Sequence, residues 1–306
     1  MISIIIPNYN HAPYLNQRIN SILNQTYKDF EVIILDDCST DNSRDIIEQY
    51  RNNEKVSTII YNSANSGNTF YQWDKGIQLA KGEYVWIAES DDWCEPTLLE
   101  TIITGLENNK DAALGYCQSY CVNDDNSIRF QSNHTKLEEY VDGKFFLKNF
   151  ILPRNPVFNA SMAVWKKEAY LKMSKDYIEY RRIGDYLFWV ELVNYGAVFI
   201  SGKLLNYFRM HDRNVSANSF NSGTSFIDHI PLYKKLLERK LIDKKDFRMA
   251  MKKSYMQFRL AEKKLPKENA RIIRRLFSEH AKSIGGFKLY FYLKQIQLFS
   301  KKLLRV

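Results

Sequence analysis

The stretch that decides the fold reads Phe30-Glu-Val-Ile-Ile-Leu-Asp36-Asp37-Cys-Ser39-Thr40-Asp41. Residues 31–35 are a short aliphatic run, and such a run bounded by turn-forming residues predicts a buried strand. Several of residues 36–41 are types that favour helix N-caps, so they predict a turn into a helix that ends near Tyr50. The stretch therefore indicates one strand–turn–helix unit.

Units of the same kind lie on both sides of this stretch. Aliphatic runs predict strands over residues 2–6, 56–61, 84–88 and 114–122, and helical patterns follow at 13–25, at 69–80 and after Pro96. The repeated β-α-β order predicts a mostly parallel, Rossmann-like sheet flanked by helices. Ligands of such sheets bind outside the carboxyl ends of the strands, where Asp36-Asp37 and Glu89-Ser-Asp91-Asp92 stand.

The second half of the chain is less regular. Residues 123–160 show no clear pattern, whereas residues 161–210 predict a helix at 185–194 and strands at 198–200 and 204–208. From about Ser225 the sequence predicts helices only. We expect an α/β domain over residues 1–224 and a basic helical C-terminal extension over residues 225–306.

Charge is unevenly distributed along the 306 residues. The net charge is +9, but residues 225–306 carry 22 Lys and Arg against 7 Asp and Glu, and the remainder is acidic. Such asymmetry indicates an anionic partner, either nucleic acid or a membrane. The four cysteines lack metal-ligand spacing, the N-terminus is unlike a signal peptide, and no apolar run approaches the roughly 20 residues of a membrane span. We therefore expect a cytoplasmic protein with reduced thiols.

Glu89-Ser-Asp91-Asp92 places three carboxylates within four residues at a predicted strand end. Their mutual repulsion favours a bound cation, and Mg²⁺ or Mn²⁺ prefers oxygen ligands that it often shares with substrate phosphates. A solvated loop before Pro96 would explain the same residues, just as capping of the next helix would explain Asp36-Asp37. Two acidic strand ends in one sheet favour a binding site for both clusters.

Longer motifs resemble the family 2 glycosyltransferases. They are Ser3-Ile-Ile-Ile-Pro7-Asn8-Tyr9-Asn10, Ser21-Ile-Leu-Asn-Gln25-Thr26-Tyr27, the stretch 30–41, and Ala80-Lys-Gly82-Glu-Tyr84-Val-Trp-Ile-Ala-Glu-Ser-Asp91-Asp92. The resemblance is dense over residues 2–120 and thins out to about residue 217. It implies the GT-A fold, with a nucleotide-binding half over residues 1–120 and an acceptor half over residues 121–224. The chain lacks a Gln-x-x-Arg-Trp signature, which argues against a processive synthase.

The resemblance also implies a reaction and a set of site residues. The reaction is an inverting, metal-dependent transfer from a nucleotide sugar, with a UDP-sugar as the favoured donor, to a hydroxyl of a glycan or lipid-linked oligosaccharide. Residues implied to contact the nucleotide are Pro7, Tyr9, Asp37 and Glu89, and those implied to hold Mn²⁺ or Mg²⁺ are Asp91 and Asp92. Glu89 stands where the family usually has Asp, and its longer side chain can contact either the ribose or the metal. The family often has an Arg-Asn pair before the matching glycine, whereas this chain has the run Gln72-Trp73-Asp74-Lys75.

An inverting transferase needs a base that takes the proton of the acceptor hydroxyl. The family often has Glu-Asp before an aromatic-rich helix, and Gly184-Asp185 stands at that place. The resemblance implies that Asp185 is the base, whereas the residues alone favour a helix N-cap. Arg209 and His211 match the family's late Tyr-Arg-x-His segment, which implies a contact with the diphosphate or the metal, although a lone histidine is more often structural.

Residues 285–306 show an apolar stripe at three- and four-residue steps, with Lys and Arg on the other side. A basic amphipathic helix of this kind can lie on the inner face of an anionic membrane, or it can pack on the catalytic domain. No recognised motif indicates nucleic-acid binding, so none is expected. The resemblance suggests surface polysaccharide biosynthesis. The alternative is a non-catalytic scaffold that binds sugar nucleotides, because Glu89 and Gly184 depart from the family pattern.

Overall fold

The computed structural model describes residues 1–210 and 222–281. The chain divides into two compact units, Met1–His211 and Asp212–Val306. The predicted boundary after residue 224 falls in the second unit, at the start of its first long helix. His211 and the basic segment 285–306, which both carry predictions, lie outside the described residues.

The first unit is built on one central sheet. Its strands are β1 Ile2–Asn8, β2 Phe30–Asp36, β3 Val56–Tyr61, β4 Tyr84–Ile87, β5 Trp93–Cys94, β6 Ala112–Val122, β7 Ile128–Gln131, β8 Glu138–Val141, β9 Ala163–Lys166 and β10 Ala197–Arg209. Their order is β3-β2-β1-β4-β9-β6-β10-β5, with β7 beside β6 and β8 beside β10.

The sheet has a parallel half and a mixed half. β3, β2, β1 and β4 are parallel neighbours, and every residue of β1 and β2 is buried. In the other half, β9 runs antiparallel to β4 and β6, whereas β6 and β10 are parallel. The longest pairings are parallel, as predicted, and β9 is inserted antiparallel between β4 and β6. A hydrophobic run indicates a buried strand but not its direction, which is why the sequence missed the antiparallel insertion of β9.

Helices cover this sheet. They are α1 Ala12–Leu23, α2 Ser43–Glu48, α3 Thr69–Leu79, α4 Leu98–Asn108, α5 Gly143–Phe146, α6 Leu152–Arg154, α7 Lys167–Lys172 and α8 Gly184–Leu192, with a π turn Leu147–Ile151 between α5 and α6. The core is aliphatic around β1 and β2. Around β9 and α8 it is aromatic, and there Trp165 packs edge to face with Phe188 and Trp189. This aromatic layer positions one side of the candidate site.

The second unit is helical over its described residues, as predicted. Its helices are α9 Thr224–Glu238, α10 Lys244–Ala261 and α11 Lys267–Ala281. α10 begins with a capping box, in which Asp243 and Asp246 accept hydrogen bonds from each other's backbone amides. Phe258 packs against Phe226 and Phe277 in the centre of the unit. In neither described range is a helix long and apolar enough to cross a bilayer.

Candidate active site

The carboxyl ends of β1, β2 and β4 lie side by side at one edge of the sheet. The last residues of β1 and β2 are in register, and β4 pairs in parallel on the other side of β1. The residues that follow these strands include Tyr9, Asp37 and Glu89. Three predicted nucleotide contacts are therefore placed along one edge, as the strand-end rule for open sheets requires.

Asp36 and Asp37 have separate structural roles. Asp36 anchors its own turn, because its carboxylate accepts hydrogen bonds from the side chain of Asn8 at 2.8 Å and from the hydroxyl of Ser39 at 2.6 Å. Asp37 is 5% exposed and accepts from the side chains of three residues, at 2.7 to 2.9 Å. These donors are Asn62, Ser66 and Gln72. Asp37 thereby fixes the loop of residues 62–68 at the end of β2.

Pro7 and Tyr9 differ in exposure although they lie only two residues apart. Pro7 is buried within β1, whereas Tyr9 lies beyond the strand and is 45% exposed. An exposed aromatic ring at a strand end offers a flat apolar face with a polar tip. Of the two predicted pocket residues, Tyr9 is therefore the one whose side chain a ligand can reach.

The acidic turn, residues 89–92, follows β4. Glu89 accepts a 2.9 Å hydrogen bond from the indole N–H of Trp73, which is 2% exposed. Burial raises the pKa of Glu89 to about 8, and the charges of Asp91 and Asp92 add to this rise. Glu89 and Trp73 both differ from the usual family pattern, and the hydrogen bond links these two residues.

Asp92 is directed into the protein. It is 1% exposed, and its two carboxylate oxygens accept hydrogen bonds from the side chain of Asn159 at 2.5 Å and from the backbone amide of Arg209 at 3.0 Å. Its pKa is raised by burial and then by the charge of Asp91. Asp91 is partly exposed. Of the two predicted metal ligands, Asp91 is therefore the more accessible.

Arg209 contacts the acidic turn with both its side chain and its backbone amide. Its side chain is 2% exposed and donates from Nε to the carbonyl oxygen of Asp91 at 3.0 Å. Its backbone amide donates to the carboxylate of Asp92. The residue that the sequence assigned to the diphosphate or the metal thus lies beside the predicted metal ligands.

Asp185 lies in the first turn of α8. The N-cap residue is Ile183, so Asp185 does not have the capping role that the residues alone favoured. Burial raises the pKa of Asp185 to about 6, and hydrogen bonds from the backbone amides of residues 185 and 186 oppose the rise. A carboxylate whose pKa lies near neutral pH is suited to accept a proton.

Gly184 is required by its surroundings. A Cβ atom at this position would lie 2.4 Å from Cε2 of Phe70 and 2.5 Å from the carbonyl oxygen of Tyr177. A side chain would therefore displace α8 or its neighbours. Close packing against α3 explains why glycine stands where the family often has Glu, and Asp185 is left as the one carboxylate of the pair.

Aromatic packing connects α8 to the acidic turn. Phe188 follows Asp185 by three residues, so the two share one face of the helix. The ring of Phe188 packs edge to face on Trp73 with centroids 5.6 Å apart, and Trp73 binds Glu89. α8 is therefore connected to the acidic turn through the buried rings of Phe188 and Trp73.

The carboxylates of the acidic turn are the candidate ligands for a metal ion. Within residues 1–210 and 222–281, no group of three or more His, Cys, Asp or Glu side chains is arranged to hold a metal ion. The acidic turn does fit an ion that shares its ligands with a phosphate group. It offers hard carboxylate oxygens, and beside burial the charge of Asp91 raises the pKa of both Glu89 and Asp92, a repulsion that a cation would relieve. Asp91 is the accessible ligand in this set.

Sequence reasoning missed the partners that hold the predicted residues. They are Ser66 and Gln72 for Asp37, Trp73 for Glu89, and Asn159 for Asp92. None of these partners belongs to a motif. The departure of the run Gln72-Trp73-Asp74-Lys75 from the family's Arg-Asn pair is a signal that points to two of them.

Comparison with known proteins identifies the family of this chain. The family model described as Glycosyl transferase family 2 matches residues 3–173. Glycosyltransferase GlyG of Streptococcus pneumoniae serotype 4 is 34% identical over 165 residues, which are 50% of this chain and 54% of GlyG. The match thus spans about half the length of that relative.

Two solved structures share the fold. Staphylococcus aureus TarS 1–349 in complex with UDP-GlcNAc has a TM-score of 0.57 and 20% identity, with 94% of this chain and 75% of that chain covered. A mannosyltransferase from Pyrobaculum calidifontis in complex with GDP-Man and Mn²⁺ has a TM-score of 0.52 and 14% identity, with 96% and 84% covered. These likenesses confirm the GT-A fold. Together with the family match, they identify the chain as a member of glycosyltransferase family 2.

Proposed function

We propose that the protein transfers a sugar from a nucleoside diphosphate sugar to a hydroxyl group of a glycan or lipid-linked oligosaccharide. The transfer inverts the configuration at the anomeric carbon of the sugar and uses a divalent metal ion. Family membership supports sugar transfer, and the UDP-GlcNAc and GDP-Man in the two related structures support a nucleotide sugar as the donor class. We assign a UDP-sugar to the site because of the resemblance of its motifs.

One observation carries the proposal. The carboxylate of Asp185, with a pKa of about 6, lies in the first turn of α8, and this helix packs through Phe188 on Trp73, which binds Glu89 of the acidic turn. Inverting transfer needs a base on one side of the sugar and a stabilised leaving group on the other. The contact between Phe188 and Trp73 and the hydrogen bond from Trp73 to Glu89 support a fixed arrangement of α8 and the acidic turn.

The proposed step is a direct displacement. The acceptor oxygen attacks the anomeric carbon of the donor sugar while its proton passes to the carboxylate of Asp185. The bond between the anomeric carbon and the phosphate oxygen breaks, and its electron pair leaves with the nucleoside diphosphate. Asp185 later returns the proton to solvent. General-base assistance of this kind contributes about 10²- to 10⁴-fold to the rate.

We propose that Asp91 holds a Mn²⁺ or Mg²⁺ ion, with Asp92 supporting the turn and Glu89 beside the metal or the ribose. When bound, such an ion neutralises the charge that develops on the leaving diphosphate. The bond from Trp73 occupies Oε1 of Glu89 and so fixes the direction of that carboxylate. The protein's contribution is to hold these carboxylates in place before the donor arrives.

We propose that the nucleoside lies at the ends of β1 and β2. The exposed ring of Tyr9 supplies one face of the pocket, and buried Pro7 shapes its floor. Asp37 contributes through the loop of residues 62–68 that it holds, and the resemblance of its motif supports a contact with the base. Loss of this carboxylate would therefore disturb the pocket wall as well as the base contact.

We extend the proposal to the site of action. The basic, amphipathic sequence of residues 285–306 supports contact with an anionic membrane surface from the cytoplasmic side, where a lipid-linked acceptor in surface polysaccharide biosynthesis would be found. Deletion of residues 285–306 should release the protein from anionic liposomes. Equal binding of the truncated and full-length chains would contradict the membrane contact and leave the sugar transfer untouched.

A thermal-shift series tests the donor and metal assignments. UDP, GDP and their sugar derivatives are each added with and without Mn²⁺, and a ligand at a hundredfold excess over its dissociation constant raises stability by about 2.7 kcal/mol. We expect one nucleotide to act, with a larger shift when Mn²⁺ is present. Asp91→Asn should abolish the additional effect of Mn²⁺, whereas Asp111→Asn, an exposed carboxylate at the amino end of β6, should retain it. A wild type that responds to no nucleotide would refute the proposal.

A further inference from the structure

We infer that Arg209 is a positioning residue that holds the acidic turn in its metal-binding shape, and that it is not a ligand of the donor diphosphate. The inference rests on the metal site proposed at Asp91. It replaces the contact with the diphosphate or the metal that the family resemblance implied for Arg209. It also predicts how Mn²⁺ affinity responds to the charge at residue 209 and how turnover responds to the Mn²⁺ concentration.

The guanidinium of Arg209 is committed to acceptors on three other segments. Nε donates to the carbonyl oxygen of Asp91 at 3.0 Å. Nη1 donates to the carbonyl oxygen of Asp124 at 3.2 Å and to the side-chain oxygen of Asn126 at 3.0 Å. Nη2 donates to the side-chain oxygen of Gln17 at 3.0 Å. One side chain thus connects the acidic turn, the β6–β7 turn and α1.

Two aromatic rings enclose the same guanidinium. Its central carbon lies 4.7 Å from the ring centroid of Tyr14 and 4.7 Å from that of Trp93. Trp93 directly follows the acidic turn and stacks in turn on Tyr207, with centroids 4.7 Å apart and planes 5° apart. The planar cation therefore lies within cation–π distance of two rings and also donates hydrogen bonds from its nitrogens, an arrangement that suits arginine and not lysine.

The backbone of Arg209 completes the hold on the turn. Its amide donates to one oxygen of Asp92 at 3.0 Å, while the other oxygen accepts from Asn159. Arg209 thus contacts the backbone of one predicted metal ligand and the carboxylate of the next. Because β10 ends at this residue, the strand delivers both contacts from a rigid element of the sheet.

Two kinds of role predict different results for Arg209→Lys. Lysine can still bind a diphosphate as a point charge, although without the bidentate geometry of arginine, so a diphosphate ligand would lose only part of its UDP affinity. A positioning residue acts through the fork of directed hydrogen bonds, which lysine cannot reproduce. We therefore expect Arg209→Lys and Arg209→Met to behave alike, with metal affinity reduced by at least about tenfold in both.

The experiment measures Mn²⁺ binding directly, by the electron paramagnetic resonance signal of unbound Mn²⁺ in the presence of UDP. UDP affinity without metal and turnover of the donor are measured beside it. We expect both Arg209 variants to bind Mn²⁺ at least about tenfold more weakly, to bind UDP alone as the wild type does, and to regain turnover at high Mn²⁺. Mn²⁺ binding by Arg209→Lys equal to that of the wild type would overturn the inference, as would loss of metal-independent UDP affinity in Arg209→Met alone.

Two surface variants keep the inference testable if the Arg209 variants do not fold. Gln17→Ala and Asn126→Gly each remove one acceptor from exposed positions, and glycine retains the left-handed φ of 64° at residue 126. We expect each to weaken Mn²⁺ binding about 3- to 10-fold. The matched control is Asn16→Ala, the neighbouring exposed residue on α1, whose side chain binds Tyr50 instead. Unchanged Mn²⁺ binding in both acceptor variants would overturn the inference. A wild type that binds no Mn²⁺ would instead remove the proposed metal site itself.

Discussion

Replacement of Gly184 by alanine adds one methyl group beside the proposed base. That methyl would lie 2.4 Å from the ring of Phe70 and 2.5 Å from the carbonyl oxygen of Tyr177, whereas ordinary contact begins at 3.4 Å. The ring can turn, but the carbonyl belongs to the backbone. The N-terminal turn of α8 must therefore move by up to about 1 Å, and Asp185 moves with it.

Two effects should follow from this movement in Gly184→Ala. Overpacking of a close-packed interior costs about 1–3 kcal/mol of the free energy of unfolding. A displacement of about 1 Å at a catalytic group lowers the rate by about 10²-fold. We expect kcat for donor turnover to fall by this factor, while nucleotide affinity stays close to that of the wild type because α8 carries no predicted nucleotide contact.

Gly105→Ala is the matched control. It is also a glycine-to-alanine change in a buried helix, and its Cβ would lie 2.2 Å from the ring of Phe199. Phe199 lies near the amino end of β10, at the edge opposite the candidate site. Both variants should lose stability in urea unfolding, but only Gly184→Ala should lose kcat. Equal losses of kcat in the two folded variants, or full kcat in Gly184→Ala, would refute the reasoning.

Three further predictions concern Asp185 and Trp73. Donor turnover should rise with pH through about 6, because Asp185 accepts a proton only when ionised, and a pH profile that is flat from 5 to 8 would contradict this role. Because the pKa of Asp185 is raised in the folded state, its contribution to the free energy of unfolding is fully present below the ordinary pKa near 4 and is lost as pH rises through about 6. In urea unfolding at pH 7, Asp185→Asn should therefore be more stable than the wild type by up to about 3 kcal/mol. Trp73→Phe should lower the free energy of unfolding by about 1–3 kcal/mol more than Trp165→Phe, because the indole N–H of Trp73 binds Glu89, whereas that of buried Trp165 has no hydrogen-bond partner. Equal losses in the two tryptophan variants would show that the bond to Glu89 contributes nothing.

The sequence predicted the parallel half of the sheet because each strand there is a local aliphatic run. It did not predict β7 or β8, which have four residues each, and every residue of β7 is exposed. A short strand without a buried face leaves no hydrophobic pattern. Its position is fixed instead by pairing with β6 or β10, which only the folded chain brings near.

The strand-end rule predicted which carboxylates share the site edge, but not what holds them. Trp73 and Glu89 are 16 residues apart, and Arg209 and Asp91 are 118 residues apart. Such contacts depend on how the strands are ordered, and no local periodicity encodes that order. The sequence therefore indicated Asp185, Asp91 and Glu89 as a set, whereas the structure supplied the positions of their partners.

The most direct test of sugar transfer is the release of nucleoside diphosphate from nucleotide sugars in the presence of Mn²⁺, with water as acceptor. Wild type, Asp185→Asn and the control Asp111→Asn are compared after their nucleotide affinities have been measured. We expect release by the wild type and the control, and release about 10²- to 10⁴-fold slower by Asp185→Asn at unchanged nucleotide affinity. A wild type that binds nucleotide but releases none from any sugar donor would indicate a non-catalytic scaffold, and an Asp185→Asn variant as fast as the wild type would remove Asp185 as the base.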